Sequence, residues 1–308
     1  MNNLDTLKVY QFDNKIRLGV HSDGGYVLGE LNEIYDCYIS AGISNEESFS
    51  RDFINKYNMN KNNSFGFDGT INDYPYNYTE NITFIKKNIN YFNDDNNTNL
   101  SFLFEKYNNI FLKMDIEGGE YPWLLNTNEQ ELNKLKQIVI ELHGITSDGW
   151  ECNYIDKVKC LEKLSKTHYI VHAHGNNHGP VVNGIPDVIE LTYVNKSYFK
   201  IKPEFNKLLL PSVLDYSNFQ NGLDINLNIY PFTQLKLVTT INFGTNDNNL
   251  KCIDITGKLE LGEEYKFDLV KNEYQDKFSF TVKDNYLTIK RLDYEHGWGH
   301  DHSVNVYI

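Results

Sequence analysis

Residues 110–124 read IFLKMDIEGGEYPWL. An apolar run of strand length, IFLKMDI (110–116), carries Asp115 near its end, meets the pair Gly118–Gly119, and passes into a helical stretch through Tyr121, Leu124 and Leu125. Such a run reads as a strand buried on both faces that hands over to a helix through a tight turn. A carboxylate at the end of so apolar a strand is costly unless a ligand, a cation or a metal answers it.

Working outward, short apolar runs alternate with helical or polar stretches on both sides. Strands are expected at 35–42, 63–70, 82–89, 137–144, 169–175 and 186–195, with helices at 47–57 and 154–167. Strands alternating with helical stretches predict a parallel sheet covered on both faces. The loop between 175 and 186 is too short for a crossover helix, so the last two strands are expected to pair antiparallel. Residues 200–222 read as a connector, and from about Asp224 short alternating strands predict a small all-β module. The expected division is an α/β domain over 1–220 and a β-sandwich-like accessory module over 221–308.

Ligands of open parallel sheets sit at the carboxyl ends of the strands. The first strand ends in SAGISNEE (40–47), with one glycine where a dinucleotide fold would show G-x-G-x-x-G, so a pyrophosphate cradle is missing. The single Gly42 still admits close approach to a ligand without a diphosphate, such as a nucleoside with an amino-acid tail, or it is only a tight turn. Asp68 ends the second strand, where a carboxylate can accept both hydroxyls of a ribose. Strand alternation puts Asp115 with Glu117, Glu141 with His143, and His172 with His174. Carboxylates and imidazoles converging from three strands suit a divalent cation or a general base beside a substrate hydroxyl. The plainer readings are a helix cap for Asp115, helix-start acids for Glu117 and Glu120, and ordinary hydrogen-bonded positions for each histidine. Coincidence on three strands weighs against them. DYEHGWGHDH (293–302) also resembles a metal tract, although turn and edge-strand chemistry suits its all-β setting better.

With 42 acidic against 29 basic residues, the net charge of −13 opposes phosphate backbones and anionic membranes. Nucleic acid is therefore not an expected partner. Four scattered cysteines without a CxxC pair and without a secretory leader predict a reduced, cytoplasmic setting, and no stretch reaches the roughly 20 apolar residues of a membrane span.

With these residues laid out, the first ~220 positions resemble the FkbM-type S-adenosylmethionine-dependent methyltransferases. The resemblance rests on RLGVHSDGGYVL (17–28), YISAGISNEESF (38–49), FGFDGT (65–70), IFLKMDIEGGEYPWL (110–124), IVIELHG (138–144), HAHGNNHG (172–179) and PDVIELTYV (186–194). It implies a Rossmann-like class I methyltransferase sheet of seven strands, the last antiparallel. It also implies methyl transfer from S-adenosylmethionine to an oxygen, often of a sugar, with Mg or Mn as a further cofactor in similar sugar O-methyltransferases. On this resemblance Gly42, Asn45 and Glu46 border the methionine part of the cofactor, Asp68 the ribose, the turn Asp23 to Tyr26 with Gly24 and Gly25 closes over the pocket, and Ser40 and Asp115 are further cofactor contacts. Asp115, Glu141 and His143 would hold the metal or the acceptor, and His174 or His143 would take the proton. The expected acceptor is a small-molecule or glycan sugar, probed best as a nucleotide-linked precursor of a surface polysaccharide, and homo-oligomer formation is left open. Two rival readings remain at this level: another nucleotide-dependent α/β enzyme, and an inactive methyltransferase-like scaffold that binds glycans, with Tyr294 and Trp298 available for stacking.

Overall fold

The β-branched and aromatic runs pair through connections longer than a hairpin, which is what parallel strands require. The computed structural model describes residues 4–32, 34–150, 152–220, 222–244, 250–259, 263–271, 278–292 and 301–308. Two compact units divide the chain after Thr233, beyond the expected boundary at 220. The shift has a packing cause: Leu210 of the expected connector, and Leu227 and Phe232 beyond it, are buried in the core of the first unit.

Among the described residues, seven strands form the sheet of the first unit. They are β1 (Cys37–Ala41), β2 (Ser64–Phe67), β3 (Thr83–Ile85), β4 (Ile110–Met114), β5 (Leu135–His143), β6 (His168–Gly175) and β7 (Val188–Asn195). Their order is β3-β2-β1-β4-β5-β7-β6. β7 runs antiparallel to β5 and β6, and the remaining pairings are parallel. This is the expected methyltransferase-type sheet with its antiparallel closing strand.

The helices are α1 (Ser48–Tyr57), α2 (Ser101–Lys106), α3 (Glu120–Asn126), α4 (Glu129–Lys134) and α5 (Tyr154–Thr167). Asn128 and Glu131 form a reciprocal capping box that starts α4, and Asn153 caps α5 through the Asp156 amide. The strict strand–helix alternation fails once. Residues 68–82 join β2 to β3 without a helix, and the strand expected over 82–89 stops at Ile85, after which Asn88–Ile89 pairs with Asn97–Thr98. That joining segment is rich in Asn and contains Pro75, so it lacks the periodicity a helix needs.

Alternation along the strands gives the sheet two unlike faces. On one, Ile39, Leu112, Ile138, Ile140 and Leu191 pack with Leu103, Trp123, Leu124, Leu161 and Leu164 of the helices. The other carries Tyr38, Phe111, Val139 and Val194 lower down, packed with α1 and with a hairpin of Lys15–Leu18 and Tyr26–Gly29. The hairpin is pinned through Gln137, which exchanges hydrogen bonds with the Gly29 backbone, and through Thr192 Oγ1, which donates to Val27 O. Towards the strand ends this second face becomes polar, and the site lies there.

The second unit holds β8 (Leu237–Gly244), β9 (Leu250–Asp254), β10 (Lys266–Lys271), β11 (Phe278–Lys283), β12 (Tyr286–Arg291) and β13 (Asp301–Tyr307). They form two three-stranded antiparallel sheets, β8-β13-β10 and β9-β12-β11, among the described residues. Ile241, Val304, Leu287 and Ile289 share one core between them, and Phe267 stacks on Phe280 at 5.1 Å. The metal-like tract at 293–302 lies outside the described residues as far as 300, as do Tyr294 and Trp298. His302 is a core residue, stacked on Phe243 at 5.5 Å.

Candidate active site

Strand register brings the expected residues to one level. Ala41 pairs with Phe67 and with Met114, so Gly42, Asp68 and Asp115 follow side by side. Met114 pairs with Ile140, which sets Asp115 beside Glu141; Glu141 pairs with Glu190, and Glu190 with His174. One row across six strands therefore reads Asp68, Gly42, Asp115, Glu141, Glu190, His174.

A cavity of about 620 Å³ opens over the first half of this row, and Asp23, Gly24, Tyr26, Gly42, Asn45, Glu46, Asp68, Asp115 and Glu117 are among its walls. Gly42 has φ +79°, and a Cβ there would run into the carbonyl of Asp115. The single glycine is thus demanded by two chain segments crossing at the cavity floor. Lys113 Nζ donates to Gly42 O at 2.6 Å and also lines the cavity.

Three expected cofactor contacts have other work. Asp68 accepts from the amides of Ile43 and Ser44 at 3.0 Å each and from the amide and hydroxyl of Thr70 at 2.8 and 2.6 Å. Burial opposes its charge, but these donors hold its pKa below the ordinary value. Its lone pairs go to the loops after β1 and β2, so a ribose contact would have to displace one of its own chain's donors. Ser40 donates to the buried Glu47 at 3.0 Å and does not line the cavity, and neither does Gly25. Glu46 accepts from the amide and hydroxyl of Ser48, the first residue of α1, at 2.9 and 3.0 Å while it borders the cavity.

At the cavity end of β4, Tyr26 donates to Asp115 Oδ2 at 3.1 Å and lies 3.5 Å from Glu141 Oε2. His143 Nε2 faces Glu117 at 3.4 Å, Glu141 at 3.9 Å and Asp115 at 4.0 Å, and its Nδ1 is 3.4 Å from Glu120 without forming a hydrogen bond. Burial disfavours the imidazolium, yet Glu120, Asp115 and Glu117 outweigh it and raise the His143 pKa. Glu141 is pushed well up by burial and then by Asp115 and Glu190, although Asn176 donates to it at 2.7 Å. Among the described residues, one group of donor atoms close enough together for one cation belongs to Asp115, Glu117 and His143. Glu141, expected in that set, groups instead with Asp23 and Glu190.

His174, an expected proton acceptor, has a carboxylate at each ring nitrogen and does not line the cavity. Its Nδ1 faces Glu190 at 3.1 Å and its Nε2 faces Asp224 at 2.9 Å. Burial disfavours its charge, but Glu190 and Asp224, one at each ring nitrogen, raise its pKa well above the ordinary value. Together with His172, which meets Asp215 at 2.8 Å, it ties the connector to the edge of the sheet. Asn218 of the connector completes that tie by donating to Asp23 at 3.1 Å and Glu190 at 2.7 Å.

Sequence reasoning missed Lys113, although its alternation with Phe111 and Asp115 marks it for the polar face. Nothing in the pattern pointed to Asn88, Asn90 and Asn97 on the cavity wall, since Asn-rich loops read alike. The turn after Asp115 uses Glu117 at φ +55° and Gly118 at φ +95°. Glu120 closes it by accepting from the Ile116 amide at 2.9 Å. A family model described as the methyltransferase FkbM domain matches residues 7–178, which include the cavity walls named above. No curated protein matches the chain.

Proposed function

The chain belongs to the FkbM methyltransferase family, and from that premise we propose that it is an S-adenosylmethionine-dependent O-methyltransferase acting on a sugar hydroxyl. The observation that carries the reading is the cavity at the ends of β1, β2 and β4, walled by the Gly42–Glu46 loop and closed by Asp115. Its acids Asp23, Glu46, Asp68, Asp115 and Glu117 outnumber Lys87 and Lys113, which suits a cationic ligand. When bound there, S-adenosylmethionine supplies a methyl group activated by a sulfonium. The Gly42 backbone, Asn45 and Glu46 would border its amino-acid end, with Asp68 holding the loop in shape.

What remains for the protein is to orient the acceptor and to receive its proton. Asp115 stands at the cavity and hydrogen-bonds Tyr26, so it orients an acceptor hydroxyl or takes its proton. His143, ringed by carboxylates, is the second acceptor for that proton once it is neutral. Asp115, Glu117 and His143 also fit a divalent cation, offering two carboxylate oxygens and an imidazole nitrogen within 4.8 Å of one another. A nucleotide-linked or glycan sugar is the proposed acceptor class, and a cytoplasmic setting accords with four free cysteines. No described helix is long and apolar enough to cross a membrane.

Calorimetry with S-adenosylhomocysteine, followed by transfer of labelled methyl groups to a panel of nucleotide sugars with and without a chelator, tests the proposal. Binding and label transfer are expected. Absence of S-adenosylhomocysteine binding would sink it, and loss of transfer with the chelator would add the cation.

A further inference from the structure

Two described tryptophans lie close to the site's turn, and they differ. Trp123 in α3 is 1% exposed and donates its indole N–H to Asn99 O at 3.2 Å, as a core tryptophan does. Trp150 is 42% exposed and sits at φ +50°, a left-handed conformation that bulky residues avoid. Backbone bonds between Gly149 and Cys152, at 3.1 Å in both directions, close its loop. Lys157 Nζ fastens the loop's base by donating to Gly144 O at 2.6 Å and Ser147 O at 3.0 Å.

The surroundings give way to this ring. Gly118 and Gly144 are both left-handed, at φ +95° and +65°, and a Cβ on Gly118 would lie 2.9 Å from the Trp150 Cβ while one on Gly144 would run into the indole. The indole centroid stands 4.9 Å from the ring of His143, whose Nε2 is 3.4 Å from Glu117. A strained, partly exposed aromatic is thus held beside His143, whose Nε2 stands near Glu117 and Asp115 of the cavity wall. Strain of this kind persists only where the surrounding structure enforces it, and it clusters at ligand sites.

We propose that the exposed indole of Trp150 is the platform on which the pyranose ring of the acceptor lies. The inference rests on the sugar-acceptor reading above and deepens it. A pyranose has one face of C–H bonds and a rim of hydroxyls; the C–H face covers apolar π surface, and the rim keeps its hydrogen bonds. Such a rim needs hydrogen-bond acceptors, and the carboxylates around the stacked His143, Glu117 at 3.4 Å and Asp115 at 4.0 Å from its Nε2, supply them. A flat non-sugar acceptor would use the indole without needing the carboxylates, and an acyclic polyol would use the carboxylates without the indole.

Saturation-transfer difference NMR on the full chain tests this, with the methyl pyranosides of glucose, galactose, mannose and 6-deoxymannose as probes. Transfer to the ring C–H protons of at least one probe is expected in the wild type and in Trp150→Phe, and its loss in Trp150→Ala. Melting curves of both variants establish that they fold. S-adenosylhomocysteine binding should be unchanged in Trp150→Ala. Transfer that survives Trp150→Ala, or no transfer from any probe in the wild type, overturns the platform. If S-adenosylhomocysteine fails to bind the wild type, the methyl-donor reading falls, while the NMR result alone decides the platform.

Discussion

The central sheet buries both of its faces, one as an oil-like core under α2 to α5 and the other, near the strand ends, as a network of acids, amides and histidines under the N-terminal hairpin and the connector. On the first face Leu112, Ile138 and Ile140 are fully buried among aliphatic side chains. On the second, residues one step along the same strands, Lys113, Glu141 and His143, are at least nine-tenths buried as well. Burying charge costs several kcal/mol per ion unless partners answer it. The second face is therefore shaped by function and by internal pairing, while the first is shaped by packing density. Substitutions on the two faces should fail in different ways.

The largest separation is expected at Asp115. Asp115→Ala should lower turnover by about 10²–10⁴-fold while leaving the melting temperature and S-adenosylhomocysteine affinity near those of the wild type. Methyl-transfer kinetics and calorimetry check this, and near-normal turnover would remove Asp115 from the chemistry. Leu112→Ala, three residues earlier and on the apolar face, should cost about 2–5 kcal/mol of stability with unchanged kcat/KM per folded molecule. Urea unfolding beside an activity assay measures it; a loss of activity without a loss of stability would erase the distinction between the faces.

Smaller effects probe the pairing within the polar face. His174→Gln keeps a donor but loses one carboxylate contact, and about 1–3 kcal/mol should go with it. Protease cleavage within residues 212–233 should quicken, because Asp224 is held by that ring. The same tie has a pH signature. Folding raises the His174 pKa above the ordinary 6.5, so its contribution is whole below pH 6.5 and is lost as pH rises through the folded value. The stability gap between wild type and His174→Gln should accordingly be widest in mild acid and close on the alkaline side. A gap that widens with pH would mean that His174 is neutral in the folded chain.

Legibility in the sequence followed the same divide. The strands were readable because apolar runs bounded by turn residues have few other interpretations, and the antiparallel closing strand followed from a loop too short for a helix. The level shared by Asp115 and Glu141 was readable from strand ends alone. Partners were not: a strand pattern says that His172 and His174 face one way, but not that Asp215 and Asp224, about 40 and 50 residues on, will meet them. Asp68 shows the same limit, because its four donors come from loop backbone and a threonine that carry no periodic signal. Trp150 was invisible for another reason, since a lone tryptophan in a polar stretch reveals neither its exposure nor its handedness.

By itself the sequence determined the strands of the sheet, its antiparallel closing pair, the family it resembles, and which side of each strand carries acids and imidazoles. These follow from local periodicity, which is written residue by residue. Only the tertiary structure decided which of those groups reach the cavity, which are consumed in holding the connector and the loops, and how each one holds its proton. Those outcomes depend on distances and burial set by residues far apart in the chain, and electrostatic energy varies with both.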